Sequence, residues 1–162
     1  MDIQFFDGMA WVMQDSMAFD VLDRVQLHDL VTGAPRYNVS GLALTATATL
    51  LNSSPDQRAD NTYLRWLVLS ADGTQYLLAA GNFAPFTGIE STQVDNIPRL
   101  NTLETKSRIF NVAAVSYPAP GTYIVNLYQS ASCGGEYLAG SVAIEVVDDA
   151  DFDGLSSAEE LA

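Results

Sequence analysis

Cysteine occurs once in the 162 residues, at Cys133. No intrachain disulfide can form, and the thiol is either a bystander in a Gly-Gly loop or half of an intermolecular bridge. Bases are scarce as well. Seven Lys and Arg stand against 20 Asp and Glu, a formal net charge of -13, and Lys106 is the one lysine. That balance repels phosphate backbones and anionic membrane surfaces, which argues against nucleic acid as a partner and favours divalent cations. Histidine also occurs once. His28 falls on the polar phase of a strand pattern beside Asp29, and no serine or cysteine motif completes a triad with it. No apolar run reaches the ~20 residues of a membrane-spanning helix. The N-terminus is apolar, but Asp2, Asp7 and Asp15 precede the first base, Arg24, so it lacks the basic start of a secretion signal.

What is present is apolar: 48% of the residues are hydrophobic, enough for one domain with a sizeable core. The patterning predicts strands bounded by Gly/Pro turns, hence an all-β sandwich. Arg24–Leu30 alternates, with Val25 and Leu27 inward. Over 41–51, Leu42, Leu44, Ala46, Ala48 and Leu50 share one face, and Thr45, Thr47 and Thr49 share the other. Tyr63–Ser70 and Thr74–Ala80 flank Asp72-Gly73 as a hairpin. Trp66 and its neighbours are apolar on both phases, as in a central strand covered on both sides, and both Trp66 and Tyr63 are expected in the core. Further strands are expected over 108–115, 122–129 and 137–147.

Two regions read less simply. Residues 1–22 hold all four methionines with Phe5, Phe6, Trp11 and Phe19. Met9, Met13 and Met17 match a helical face, whereas Ile3 and Phe5 alternate as in a strand. The segment either closes the core or pairs with another subunit by strand addition. Residues 81–107 are irregular, with a strand possible within 93–103 anchored by Val94, Ile97 and Leu100. A loop of that length is where a second binding surface is expected. Asn38 and Asn52 each begin a glycosylation sequon.

The most specific chemistry is at the end. Asp149-Ala150-Asp151-Phe152-Asp153-Gly154-Leu155-Ser156-Ser157-Ala158-Glu159-Glu160 fits the pattern D-x-[DN]-x-[DN]-G-x5-E. Asp149, Asp151 and Asp153 supply carboxylates at positions 1, 3 and 5, and Gly154 makes the sharp turn at 6. Leu155 offers a carbonyl, Ser157 a hydroxyl or a bound water, and Glu160 two oxygens. Such an all-oxygen set suits Ca2+. Six acids lie within 148–160, the densest negative charge in the chain. The chain therefore divides into a β-sandwich domain over 1–147 and a calcium-binding loop over 148–162.

Pro118-Ala119-Pro120-Gly121-Thr122-Tyr123-Ile124-Val125 resembles the late corner of an immunoglobulin-like sandwich. In that family such a turn leads into the penultimate strand, and the tyrosine hydroxyl packs back on the corner. The resemblance implies an immunoglobulin-like antiparallel β-sandwich. The Asp149–Glu160 run resembles the EF-hand-type loops of thrombospondin type 3 repeats and dockerins. It departs from a full EF-hand, because Val142, Ile144 and Val146 alternate as a strand before it. After Glu160 there is room in this sequence for one helical turn at most.

These resemblances imply a non-enzymatic extracellular or cell-surface module, of a microbial surface protein or a filament. A Ca2+ ion would stiffen its end for contact with a neighbouring domain or subunit. The alternative expectation is an adhesin or carbohydrate-binding module using 81–107. Hydrolase chemistry ranks behind both, since no carboxylate pair is placed by a motif.

Overall fold

A computed structural model of the chain describes residues 2–6, 11–16, 23–39, 41–130, 134–149, 156 and 158–161, with backbone pairing only for 2–6 and 11–16. Twelve strands run through them: β1 (Asp2–Phe6), β2 (Trp11–Ser16), β3 (Val25–Thr32), β4 (Arg36–Asn38), β5 (Leu44–Asn52), β6 (Ala59–Leu69), β7 (Gln75–Leu77), β8 (Phe83–Pro85), β9 (Gln93–Leu100), β10 (Thr105–Val112), β11 (Gly121–Ser130) and β12 (Glu136–Val147). No α-helix occurs among the described residues. The all-β expectation is met.

β10, β5 and β3 form one antiparallel sheet in that order. A second, larger sheet has the order β4-β12-β11-β6-β7-β8, with β9 on β6 as well. One pairing departs from the antiparallel expectation: β4 runs parallel to β12, with Arg36 opposite Glu145 and Asn38 opposite Val147. The sheet is therefore mixed. β1 and β2 make a separate two-stranded antiparallel sheet. Of the two readings of 1–22, the strand alternative holds for these residues; Met9, Met17 and Phe19 lie outside the described residues.

The two large sheets pack face to face because their alternating strands each present one apolar side. β5 contributes Leu44, Ala46, Ala48 and Leu50, all buried. Leu64, Trp66 and Val68 of β6 meet them from the other sheet, with Tyr123, Val125 and Leu127 of β11 and Ile144 and Val146 of β12. Trp66 stacks on Phe110 of β10 at a ring-centroid distance of 5.3 Å. Burial of each such side chain contributes about 1.5–3 kcal/mol. Trp66→Ala would cost roughly 3–5 kcal/mol.

Four details differ from the sequence pattern, each for a local reason. Leu42 is 43% exposed. Gly41, at φ +87°, bends the chain just before it, so β5 begins only at Leu44. Tyr63 is 57% exposed, because the phase that buries Leu64 and Trp66 turns Tyr63 outward. Leu67 is nonetheless buried on that outward phase, so β6 is covered on both sides there. The hairpin around Asp72-Gly73 pairs only at Leu69 and Tyr76, since β9 occupies the same edge of β6 over 59–66.

The fourth detail concerns 81–107, which is not one long loop. It holds β8, β9 and the start of β10. Ile97 and Leu100 are buried as expected, whereas Val94 is 68% exposed, opposite Arg65 on the outward phase. Burial of both Ile97 and Leu100 breaks strict alternation. The break mirrors that between Ala59 and Thr62 on the paired strand, where Asn61 sits in the left-handed region at φ +56°. A single left-handed residue is a small departure that Asn tolerates better than most.

Candidate functional site

β12 runs directly into Asp148 and Asp149, so a strand and not a helix precedes the acidic loop. Its last residues are held on one side by the antiparallel partner β11 and on the other by β4. Val39 N donates to Val147 O at 2.9 Å. The side-chain amide of Asn38 donates to the backbone carbonyl of Asp149, and both residues are 7% exposed. The first residue of the calcium pattern is thereby fixed to the body of the sandwich.

The far side of the loop is tied to the same strand. Ser156 N donates to the Glu159 carboxylate at 2.7 Å, and Glu159 N donates to Ser156 Oγ at 3.2 Å. This is the reciprocal arrangement of a capping box, used here on a single turn. The Glu159 carboxylate also accepts from Arg36 at 3.3 Å, and Arg36 in turn donates to Glu145 of β12 at 3.0 Å. The Ser156 backbone N–H, then its hydroxyl and then Arg36 hold the Glu159 carboxyl at about 2, below the usual range. The Arg36 guanidinium is pushed up by Glu145 first and Glu159 second. Residues 158–161 form a turn.

Of the six expected ligands, Asp149 and Glu160 are described; Asp151, Asp153, Leu155 and Ser157 lie outside the described residues. Glu160 is exposed, and its N donates to Ser156 O at 3.1 Å. Among the described residues, no group of three or more His, Cys, Asp or Glu is placed to hold a metal. Glu159 is engaged by Ser156 and Arg36, while the spacing assigns the bidentate position of the pattern to Glu160. Arg36, Asn38 and Ser156 were not legible as parts of this site. Ser-x-x-Glu was the one signal that could have been read.

The sequons turn out to be structural. Asn52 is fully buried, and its amide donates to Gln57 O, Leu100 O and Asn101 O at 2.9, 3.2 and 2.9 Å. With Asn38 bound to Asp149, neither side-chain nitrogen is presented to solvent in the folded chain. His28 is exposed in a bulge of β3, consistent with a solvated strand residue. In the former loop region, the Glu90 carboxylate accepts from the N–H groups of Thr87, Gly88 and Ile89 at 3.0, 2.9 and 3.0 Å and from the Thr87 hydroxyl. Those donors, the Thr87 hydroxyl foremost, hold it at about 2.

No family model and no curated protein sequence matches the chain. Solved structures do resemble it. The C-terminal domain of Wzt superposes with a TM-score of 0.51 at 13% identity, over 82% of this chain and 79% of that one. A β-glucosidase from Listeria innocua in complex with glucose gives a TM-score of 0.46 at 15% identity, over 75% of this chain. The chain spans 16% of the length of that enzyme. Spo0M, a sporulation control protein from Bacillus subtilis, gives 0.46 at 11% identity over 77% of this chain and 50% of its own. At such identities the Wzt likeness speaks to the β-sandwich fold alone.

Proposed function

We propose that the chain is a non-enzymatic, extracellular structural module, a surface-protein domain or filament subunit, whose C-terminal loop binds Ca2+. The observation that carries this reading is the double tie of β4 to the loop: Asn38 holds Asp149, and Arg36 holds Glu159. A loop built into the sandwich at both ends stiffens the domain when an ion fills it. A sensor loop instead re-angles two helices, and here a strand leads in. Bound Ca2+ would neutralise carboxylates that otherwise repel one another, at the about 10⁻⁴–10⁻³ M affinities usual for extracellular modules.

The sandwich is read as immunoglobulin-like on two grounds. Tyr123, at the start of β11, donates its hydroxyl to Ala119 O at 2.7 Å, the corner bond expected from the sequence. The strand order places a short early strand, β4, parallel to the last strand, at the edge of the larger sheet. Assembly with a neighbouring copy is read from β1 and β2. An isolated hairpin is marginally stable in water, and a neighbour's sheet edge would complete it.

Calcium titration followed by terbium luminescence and calorimetry tests the ion. The intact chain should bind, Asp149→Ala should lose binding, and a chelator should lower the melting temperature. Absence of binding by the intact chain would sink the reading. Deleting residues 1–20 should leave a folded monomer if they join subunits.

A further inference from the structure

The outermost strands of a sheet carry N–H and C=O groups with no ladder partner, and chains blunt such edges with charge, proline, bulges or brevity. Most edges here are blunted. β3 carries Asp29 beside a bulge, and β10 carries Lys106 and Arg108. β9 holds Asp95 and Pro98, and β8 is a short strand ending in Pro85. β12 differs. β4 covers it only over Glu145–Val147, and from Tyr137 to Ile144 it has neither charge nor proline. Its one bulge sits at Ala139, opposite the step from Leu127 to Tyr128, and leaves 140–144 regular.

The backbone of that stretch is placed for pairing. Glu145 N donates to Pro35 O at 3.0 Å, on the side away from β11. Alternate residues of a strand present their backbone groups to the same side, so Ala143 and Ser141 aim theirs the same way. Both residues are exposed, and no described residue pairs with their backbone on that side.

One other sheet is unfinished. Among the described residues, β1 and β2 pair with each other and with no other strand. β1 is 5 residues long, the length of the regular stretch 140–144, and its one charge is Asp2. The edge of the same chain lies close to where 1–22 joins the sandwich. The Val25 carbonyl at the start of β3 takes the Gln129 amide, and Gln129 lies opposite Tyr137 near the start of β12. β1 nevertheless does not pair with the β12 of its own chain.

We propose that the β12 edge over 140–144 accepts β1 of a second copy as an added strand. This rests on the assembly reading of β1 and β2 above and supplies its acceptor. Main-chain hydrogen bonds give such a contact its affinity. Donor and acceptor are different surfaces, so the contact is head-to-tail and propagates into a filament unless its rotation closes a ring. Two copies at a net charge of -13 repel, and an uncharged strip meeting a nearly uncharged strand is where they can approach. Added salt should therefore tighten the contact.

The test is sedimentation velocity of the full chain over a range of concentrations, with calcium present. The unmodified chain should assemble, more strongly as salt rises. Ala143→Pro removes one outward N–H and spares the bonds to β11, so it should assemble about tenfold more weakly or worse, the worth of one hydrogen bond. Ala143→Lys puts a charge on the edge and should act alike, which keeps the test sound if the proline variant melts early. Ile3→Pro with Phe5→Pro breaks the donor strand and should be monomeric. Mixed, that chain and the Ala143→Pro chain should form a heterodimer that grows no further, because one intact β1 then meets one intact β12. Undiminished assembly in both Ala143 variants, or no heterodimer in the mixture, would overturn the β12 edge while leaving subunit joining through 1–22 intact. An unmodified chain that stays monomeric at every concentration and salt would overturn that joining as well.

Discussion

The side-chain amide of Asn38 and the backbone carbonyl of Asp149 meet at the edge of the larger sheet, joining residues 111 apart in sequence. Both are buried, so the carbonyl has no ready access to water once its donor is removed. Asn38→Ala should destabilise the fold by ~1–3 kcal/mol, the cost of leaving a buried acceptor unmet. Urea denaturation measures that loss. If the loop binds Ca2+ as proposed, the same variant should weaken terbium binding, because the backbone at the loop's first residue is then no longer held in place.

Arg36 separates the two effects. Its contacts to Glu145 and Glu159 are solvent-exposed and screened, so Arg36→Gln should change stability only slightly. If β4 tethers the far side of the loop, the rise in melting temperature on adding calcium should nevertheless shrink. An unchanged calcium response in Arg36→Gln would detach Arg36 from any role at the ion.

Legibility followed the physics of alternation. Leu44 to Leu50 could be read directly, because one face is buried and period two has no competitor there. The Tyr123 corner was equally plain, since proline and glycine fix the turn. Val94 misled, because an apolar residue on an outward phase looks like an anchor until the left-handed Asn61 on the neighbouring strand is known. β4 was illegible: three residues with a parallel partner over a hundred positions away carry no local signal. Asn38 was misleading in a different way. It reads as a sequon, while its amide is spent on Asp149.

Acid should lower the stability of the protein in part through three carboxylates. Asp72, held by the Ser70 hydroxyl first and then by Thr74, lies at about 2, as do Glu90 and Glu159. Their ordinary values are 3.8 for Asp72 and 4.5 for the two glutamates. Each folded value is depressed, so the stability each contributes is complete above its ordinary value and lost as pH falls through about 2. A pH series of thermal melts should show the decline across that window. Ser70→Ala should flatten it by releasing Asp72 toward its ordinary value.

Tyr123→Phe tests the corner by itself. The ring keeps its edge contacts with Phe83 and Tyr117, at 5.3 and 4.9 Å between centroids, and loses the hydroxyl's two bonds to Ala119, donated to its O at 2.7 Å and accepted from its N at 3.4 Å. A loss of about 1 kcal/mol is expected, read as a lower denaturation midpoint with an unchanged slope.

Leu103 offers a gain. It is 63% exposed and sits at φ +57° in the turn between β9 and β10, so its side chain contributes little burial while its backbone is strained. Leu103→Gly should raise stability by up to ~1 kcal/mol, since only glycine takes that conformation without penalty. Thermal melts of the two proteins side by side decide it.

The parallel pairing of β4 with β12 also bears on the order in which the molecule is made. Arg36 and Glu159 are 123 residues apart, and their contact cannot form until the chain between them has been synthesised. The acidic loop is thus not a portable cassette. Excised as a peptide or grafted behind an unrelated strand, it would leave Asn38 and Arg36 behind. Under the proposed calcium role, its affinity for the ion would then report on the completeness of the domain upstream, as a seal reports on the vessel it closes.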